Sequence, residues 1–153
     1  MPGPGKPLRG MNWMSDKYFI DTNIFIYCFD DRQPEKKSRS LALVADALQT
    51  GKGVISWQVI QEFLNVSTRK FLVPLKPEDA KVYLQKVLHP LCHVFPDLNL
   101  YETALDIYRE TGYSFYDSMI VASALRGGCS NLYSEDLHAW HQVGRCIVVN
   151  PFV

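Results

Sequence analysis

Four acidic residues stand in positions where the surrounding sequence is apolar, and two of them follow short apolar stretches. Asp21 comes directly after Tyr18-Phe19-Ile20, and Asp136 comes just after Leu132-Tyr133. Both stretches predict short buried strands, so both acids lie where a strand ends. Ligands bind at the carboxyl ends of the strands in open α/β sheets, which makes these two carboxylates candidates for a functional site.

The other two acids belong to predicted helices. Glu62 lies three residues after Val59, at the edge of the apolar face of its helix. Asp117 precedes Ile120 and Val121 by three and four residues, so it occupies the first turn of the stripe that packs on the sheet. Acids from two strand ends and two helices are therefore expected at one edge of the sheet.

Four carboxylates at one edge repel one another, because like charges a few ångström apart raise pKa values. A divalent cation removes that conflict. Ligands that are all oxygen, without His or Cys, favour a hard cation such as Mg²⁺ or Mn²⁺ over zinc. Such an ion can activate water and hold a phosphate oxygen, as phosphodiester hydrolysis requires. The four acids therefore predict a metal site for hydrolysis.

Simpler explanations exist for the same acids. Asp21 or Asn23 could cap the helix that follows the first strand, since both residue types are favoured N-caps. Asp117 with Ser114 has the form of a helix-start capping arrangement, which a dipole energy of roughly 0.3–1 kcal/mol would support. Four separate caps and surface acids are the alternative to one metal site.

Composition limits the functions that the chain could have. The 153 residues carry 16 basic and 16 acidic side chains, so no overall field attracts nucleic acid, and such binding must rest on a local patch or on bound cations. The four cysteines are scattered among apolar neighbours and predict reduced core thiols. No apolar run has the length of a membrane span or the form of a signal peptide, so we expect a cytoplasmic protein without membrane contact.

Residues 1–16 differ in composition from the rest of the chain. They contain three prolines and three glycines, and Met11 and Met14 offer alternative starts. Such a segment cannot bury a core, so we expect a disordered leader or extension there and one domain over residues 17–153.

Strand and helix patterns alternate over residues 17–153 with short joints. The predicted strands are 18–20, 54–56, 93–95, 131–134 and 146–149, and the predicted helices begin near residues 24, 34, 57, 77, 99 and 114. Asn99 with Glu102 has the form of a capping box, Ser56 could cap the third helix, and Pro90 is expected to end the fourth. This order predicts an α/β fold with a mostly parallel central sheet and helices on both faces.

Five segments carry a resemblance to a known family. They are Phe19-Ile20-Asp21-Thr22-Asn23-Ile24, Gln58-Val59-Ile60-Gln61-Glu62-Phe63, Ser114-Phe115-Tyr116-Asp117-Ser118-Met119-Ile120, Tyr133-Ser134-Glu135-Asp136-Leu137 and Val149-Asn150-Pro151-Phe152. Together they resemble the PIN-domain ribonucleases, and most closely the VapC toxins of bacterial toxin–antitoxin pairs. The resemblance covers nearly the whole chain after the leader and implies a three-layer α/β/α PIN-like fold.

The resemblance also implies roles for individual residues. The catalytic, metal-binding quartet of the family falls on the four acids already reached from position: Asp21, Glu62, Asp117 and Asp136. Asn23 and Ser134 would support these carboxylates or metal-bound waters through hydrogen bonds, although the family often has Thr in place of Ser134. Glu135 could share or replace the role of Asp136. Mg²⁺ or Mn²⁺, RNA cleavage, homodimers and a small antitoxin that blocks the site are further implications.

Basic and aromatic side chains could add contacts to RNA. Six basic residues are candidates for phosphate contacts: Lys36, Lys37, Arg39, Arg69, Lys70 and Arg126. The alternative is a solvated helix face, and Arg126 at a helix end could instead complement the helix dipole. Phe115 and Tyr116 are expected at the core and its rim rather than in a stacking platform.

Two other functions compete with a metal-dependent endoribonuclease toxin. An aspartyl-phosphate phosphatase resembling the haloacid dehalogenase family would use Asp21 as nucleophile, but such enzymes want a second Asp two residues on, where this chain has Asn23. A catalytically silent PIN-like module would use the acidic edge only to bind RNA, a protein partner or a structural ion.

Overall fold

The computed structural model describes residues 16–153. The predicted leader, residues 1–16, lies outside these residues except for Asp16, which forms an ion pair with Lys52 at 2.7 Å. Within the described range, no helix combines the length and the apolar character needed to cross a membrane. All four cysteines are buried and none forms a disulfide, as predicted for core thiols.

Six strands form one sheet with the order β3-β2-β1-β4-β6-β5. The strands are β1 (Tyr18–Ile20), β2 (Gly53–Ser56), β3 (Cys92–Val94), β4 (Asn131–Tyr133), β5 (Gln142–Val143) and β6 (Cys146–Val149). All neighbouring pairs are parallel except β5 and β6, which are antiparallel. The mostly parallel sheet is therefore confirmed, with one antiparallel strand at its edge.

Helices cover both faces of this sheet. They are α1 (Thr22–Tyr27), α2 (Pro34–Thr50), α3 (Trp57–Arg69), α4 (Pro77–Tyr83), α5 (His89–Leu91), α6 (Leu98–Thr111) and α7 (Phe115–Arg126). A π-helical turn, Leu84–Leu88, joins α4 to α5. The α/β fold predicted from the alternating patterns is confirmed.

The central strands are apolar because they are buried on both faces. Phe19 and Ile20 of β1 and Leu132 of β4 have no exposed surface. At the start of β2, a Cβ atom on Gly53 would come within 2.3 Å of the Ala47 Cβ, so only glycine lets α2 pack this closely on the sheet.

Of three local predictions, one was wrong and two were confirmed in position only. The capping box of Asn99 and Glu102 does not form, because Asp97 caps α6 instead and its carboxylate accepts from the Leu100 N–H at 2.8 Å. Ser56 stands at the N-cap of α3, but its hydroxyl makes no capping hydrogen bond. The fourth helix continues through the π-helical turn into α5 and ends at Leu91, so its end is predicted to within one residue of Pro90.

β5 was not predicted at all. Its two residues contain no run of alternating apolar and polar side chains, so the pattern that indicates a strand is missing. The hairpin with β6 arises from tertiary pairing, in which Gln142 lies opposite Ile147 and Val143 lies opposite Cys146.

Candidate active site

The strand register brings the ends of β1 and β4 together. Ile20 lies opposite Tyr133, which in turn lies opposite Val149. The residues that follow are therefore neighbours: the Asp21 N–H donates to the Tyr133 carbonyl at 3.0 Å, and the Ser134 N–H donates to the Val149 carbonyl at 3.0 Å. This edge of the sheet carries the acidic cluster, defined as Asp21, Glu62, Asp117 and Asp136.

Asp21 is the most enclosed member of the acidic cluster, with 7% of its surface exposed. Its carboxylate accepts from the Thr22 N–H and from the Ser134 hydroxyl, both at 2.7 Å. Burial raises the pKa of Asp21 to about 6, the two hydrogen bonds oppose that rise, and the charges of Glu62 and Asp136 add to it. Asp21 is thus both the N-cap of α1 and a buried acid facing other acids.

Glu62 reaches the same edge from α3. The Thr22 hydroxyl donates to Glu62 Oε1 at 2.6 Å, and Gln58 Nε2 donates to Glu62 Oε2 at 3.1 Å. Gln58 Nε2 also donates to the Tyr116 carbonyl at 3.3 Å. These contacts fix the Glu62 carboxylate between α1 and α7.

Asp117 enters the cluster from the first turn of α7. Its N–H donates to the Ser114 hydroxyl at 3.1 Å, so the predicted cap is present. Burial raises the pKa of Asp117, the hydrogen bond with Ser114 opposes the shift, and the charges of Asp136 and Glu62 add to it. Capping and membership of the acidic cluster are therefore compatible for Asp117, as they are for Asp21.

Asp136 and Glu135 have different partners although they are adjacent. Asn23 Nδ2 donates to Asp136 Oδ2 at 2.9 Å, and the Asp136 N–H donates to the Ser134 hydroxyl at 3.2 Å. The Glu135 carboxylate instead accepts from the Lys36 ammonium and, at 2.5 Å, from the Tyr27 hydroxyl. Asp136 is thus the residue of this pair that acts electrostatically on the rest of the acidic cluster.

The cluster has the chemistry of a site for a hard cation, since its ionisable donors are all carboxylates. The buried Oδ1 of Asn23, whose amide nitrogen already holds Asp136, has no hydrogen-bond partner and is a further oxygen donor at this edge. In residues 16–153, no three His, Cys, Asp or Glu side chains stand close enough together to surround an ion. The acids therefore influence one another electrostatically, but they do not form a complete set of metal ligands. Their oxygen donors and their negative charge are the features that fit a metal.

Three of the six basic residues predicted to contact RNA hold carboxylates of this chain. Lys36 pairs with Glu135, and Lys37 pairs with Asp31. Arg126 donates twice to Asp97, at 2.8 and 2.9 Å, so it ties the end of α7 to the N-cap of α6. The other three, Arg39, Arg69 and Lys70, are exposed, and phosphate binding stays a prediction for all six.

Sequence reasoning missed three side chains that hold the acids or their neighbour: Thr22, Gln58 and Tyr27. Gln58 could have been found, because it lies four residues before Glu62 on one helix face. Thr22 reaches an acid 40 residues away and Tyr27 reaches one 108 residues away, so no local spacing indicates either contact.

A family model for the PIN domain matches residues 18–145. The chain belongs to the PIN domain family. The matched span contains the whole acidic cluster together with Thr22, Asn23 and Ser134.

Solved structures share the fold of this PIN domain at low sequence identity. A toxin–antitoxin complex from Klebsiella pneumoniae is 18% identical, with a TM-score of 0.61 over 88% of this chain and 98% of the other. The sarcin–ricin loop cleaving toxin VapC20 of Mycobacterium tuberculosis is 21% identical, with a TM-score of 0.53 over 78% and 90%. FitAcB from Neisseria gonorrhoeae is 18% identical, with a TM-score of 0.57 over 88% and 98%. Comparison with the sequences of curated proteins gives no match.

Proposed function

We propose that this PIN domain is a Mg²⁺- or Mn²⁺-dependent endoribonuclease and the toxin of a VapBC-type toxin–antitoxin pair, acting in the cytoplasm as a homodimer. The observation that carries the proposal is geometric: Ser134 holds Asp21, while Thr22 and Asn23 beside it hold Glu62 and Asp136 at the same edge of the sheet. Glu62 and Asp136 both raise the pKa values of Asp21 and Asp117. None of the ion pairs within residues 16–153 includes a member of this cluster.

Asp21 is buried among other acids, and a buried carboxylate is unfavourable unless a cation or another partner compensates its charge. Asp21, Asp117 and Asp136 would hold the ion once their side chains move closer together than they stand here, and Glu62 would bind it or orient the attacking water. When bound, a divalent ion neutralises charge on a phosphate oxygen and lowers the pKa of the attacking water.

The remaining polar residues position the acids. Ser134 holds Asp21, Thr22 and Gln58 hold Glu62, and Asn23 holds Asp136. Hydrogen bonds of this kind orient metal ligands and restrict their rotation, so their loss typically lowers activity 10- to 100-fold.

The partners in this proposal are RNA and a small antitoxin that covers the acidic edge. The support is the PIN fold shared with a toxin–antitoxin complex from Klebsiella pneumoniae and with the sarcin–ricin loop cleaving toxin VapC20. Because the net formal charge of the chain is zero, phosphate contacts would come from the bound ion and from local basic side chains such as Arg39 and Lys70.

The decisive experiment compares Asp21→Asn with wild type in cleavage of a structured RNA pool, with Mg²⁺, Mn²⁺ or chelator. We expect metal-dependent cleavage by wild type and none by the variant. Asp106→Asn is the matched control, because Asp106 is an exposed acid on α6, paired only loosely with Arg109 at 3.5 Å. Full activity of Asp21→Asn would refute the assignment.

Calorimetric titration with Mn²⁺ separates the nuclease from a silent binding module. A nuclease binds the ion and cleaves RNA, and both properties are lost together in Asp21→Asn. Metal binding by wild type without cleavage of any RNA in the pool would instead support the module.

A further inference from the structure

The loop between β4 and β5, residues 134–141, carries one acid of the acidic cluster. It begins with Ser134 and includes Asp136, whose N–H donates to the Ser134 hydroxyl at 3.2 Å. Leu137 is only 6% exposed and anchors the loop in the core. The last residue of the loop, His141, is half-buried. The position of Asp136 therefore depends on what holds this loop along its length and at its far end.

His141 is bound to the residue that precedes the N-cap of α7. The Tyr113 hydroxyl and His141 Nδ1 are hydrogen-bonded, and the two rings meet edge to face with their centroids 5.4 Å apart. Tyr113 adjoins Ser114, the N-cap whose hydroxyl accepts from the Asp117 N–H. Burial raises the pKa of Tyr113, and the charge of Asp117 adds to that shift. One hydrogen bond thus ties the loop of Asp136 to the helix start that carries Asp117.

The turn that presents His141 has a strained backbone. Trp140 has a φ of 67°, the only positive value in residues 16–153 for a residue other than glycine. The His141 N–H donates to the His138 carbonyl at 3.2 Å and closes the turn. On the other side, the Trp140 N–H donates to the Val148 carbonyl at 2.7 Å, and the Val148 N–H donates to the His141 carbonyl at 2.9 Å. These bonds hold a bulky residue in a conformation that its Cβ disfavours.

The indole of Trp140 does not account for this conformation, because the residue is 76% exposed. The left-handed turn instead sets the direction of His141, which pairs with β6 through its backbone while its ring meets Tyr113. Strained backbone persists only where the surrounding structure requires it, and such positions cluster at functional sites. The strain at Trp140 therefore directs attention to what the His141 ring holds.

We propose that the turn at Trp140 directs His141 into a clamp with Tyr113, and that this clamp sets the affinity of the acidic cluster for a divalent cation. The clamp is defined as the hydrogen bond between Tyr113 and His141. It fixes the helix start of Asp117 relative to the loop of Asp136. This inference rests on the metal site of the proposed function, and Tyr113 and His141 are positioning residues in it.

The physical reason is preorganisation. A hard ion needs its oxygen ligands at short and nearly fixed distances, about 2.0–2.1 Å for Mg²⁺, so carboxylates from two elements must converge closely. With the clamp in place, the loop of Asp136 is already ordered beside α7. Without it, ordering the loop becomes part of the cost of binding the ion, because fixing backbone residues loses conformational entropy.

The first test is calorimetric titration with Mn²⁺, without RNA, of wild type, Tyr113→Phe and His141→Leu. Each substitution should weaken Mn²⁺ binding about 10-fold, as loss of a group that orients metal ligands typically does. The double variant should bind no more weakly than either single variant, because both remove the same hydrogen bond. Tyr113→Phe keeps the ring contact, and Tyr108→Phe on α6, at an exposed tyrosine, is the matched control.

Unchanged Mn²⁺ affinity in Tyr113→Phe and His141→Leu would overturn the clamp. It would do so even if both thermal midpoints fell, because the hydrogen bond would then serve stability alone. Additive losses in the double variant would also overturn it, since the two residues would then act separately.

The second test compares two substitutions at the turn, Trp140→Gly and Trp140→Val. Both remove the indole, but glycine adopts a positive φ freely whereas a β-branched residue strongly disfavours it. Trp140→Gly should bind Mn²⁺ like wild type, and Trp140→Val should bind it as weakly as His141→Leu does. Equal affinities of the two variants would overturn the part of the proposal that concerns the turn.

Cleavage assays separate this inference from the nuclease proposal. At Mn²⁺ concentrations that saturate each variant, Tyr113→Phe and His141→Leu should cleave RNA at nearly the rate of wild type, because the clamp acts on ion affinity. Rates that stay low at saturating metal would overturn the clamp. If wild type binds Mn²⁺ and cleaves no RNA while both variants bind the ion more weakly, the nuclease proposal fails and the clamp stands. If wild type binds no Mn²⁺, both proposals fail.

Discussion

Glu135 and Asp136 are consecutive acids that lie in opposite electrostatic surroundings. Burial by itself would raise the pKa of Glu135, but hydrogen bonds from Lys36 and Tyr27 bring it below its ordinary value. The Lys36 ammonium also lies over the rings of Tyr27 and Phe152, at 4.9 and 5.5 Å from their centroids. Glu135 is thus neutralised within the fold.

Asp136 has no such partner in the described part of the chain: burial raises the pKa values of Asp21 and Asp117, and the negative charge of Asp136 adds to both shifts. The fold supplies this region with hydrogen-bond donors, from Ser134, Thr22 and Asn23, but with no ion-pair partner among residues 16–153. Glu135 is thus paired within the fold, whereas the proposed function assigns Asp136 and Asp21 to a cation from outside; for the buried Asp21 an uncompensated charge is costly.

The largest expected effect comes from removing the negative charge of one or the other of these two acids. Asp136→Asn should lower metal-dependent RNA cleavage on the order of 10³-fold, as loss of a catalytic group commonly does. Glu135→Gln should keep most of the activity and lower stability, because it leaves Lys36 without its carboxylate. Single-turnover cleavage rates and thermal midpoints of both variants check the contrast, and equal loss of activity would mean that Glu135 shares the site.

The next effect concerns stability, and it should depend on pH. Because the folded-state pKa of Asp21 is raised from 3.8 to about 6, its ionisation destabilises the fold as pH rises through that range. Asp21→Asn should therefore add up to about 3 kcal/mol to the free energy of unfolding near pH 8 without metal, and little near pH 3. Urea unfolding at both pH values measures this difference.

Added metal should change the free energy of unfolding of wild type more than that of Asp21→Asn. Mg²⁺ or Mn²⁺ at about 100 times its dissociation constant should stabilise wild type by about 2.7 kcal/mol near pH 8, and chelator should reverse the gain. Asp21→Asn should show much less of this gain. A gain independent of Asp21 would place the ion elsewhere.

A smaller loss is expected when a positioning hydroxyl is removed. Thr22→Val keeps the backbone N–H that binds Asp21 but removes the donor to Glu62, so cleavage should fall about 10- to 100-fold. Thr68→Val is the control on α3, because the Thr68 hydroxyl bonds only to the Leu64 carbonyl of its own helix. Rates at saturating RNA distinguish mispositioned Glu62 from weaker substrate binding.

The smallest expected effect is a difference in stability between variants of two neighbouring lysines. Lys36→Met removes a pair whose side chains are 31% and 23% exposed, so it should destabilise the fold by about 1 kcal/mol. Lys37→Met should cost close to nothing, because its partner Asp31 is 87% exposed. Equal effects in urea unfolding would contradict a structural role for the Lys36 and Glu135 pair.

Most elements of the fold could be predicted from local patterns. The apolar stretch Tyr18-Phe19-Ile20 has no other reasonable state than a buried strand, and Gly51 ends α2 in the left-handed conformation that glycine adopts easily. Where several residues could cap a helix, the local pattern was insufficient. Asp97 rather than Asn99 caps α6, and Arg126, 29 residues away, holds the same carboxylate.

The positions of Asp21, Glu62, Asp117 and Asp136 were determined by the sequence alone, since strand ends and helix faces follow from short-range periodicity. Tertiary structure decided which acid is neutralised, because Lys36 and Glu135 are 99 residues apart and meet only when α2 packs beside the end of β4. It also decided that the buried Ser56 hydroxyl and Gln58 Oε1 have no hydrogen-bond partner. Side-chain periodicity is a local property, whereas hydrogen-bond satisfaction depends on what the rest of the chain brings to each atom.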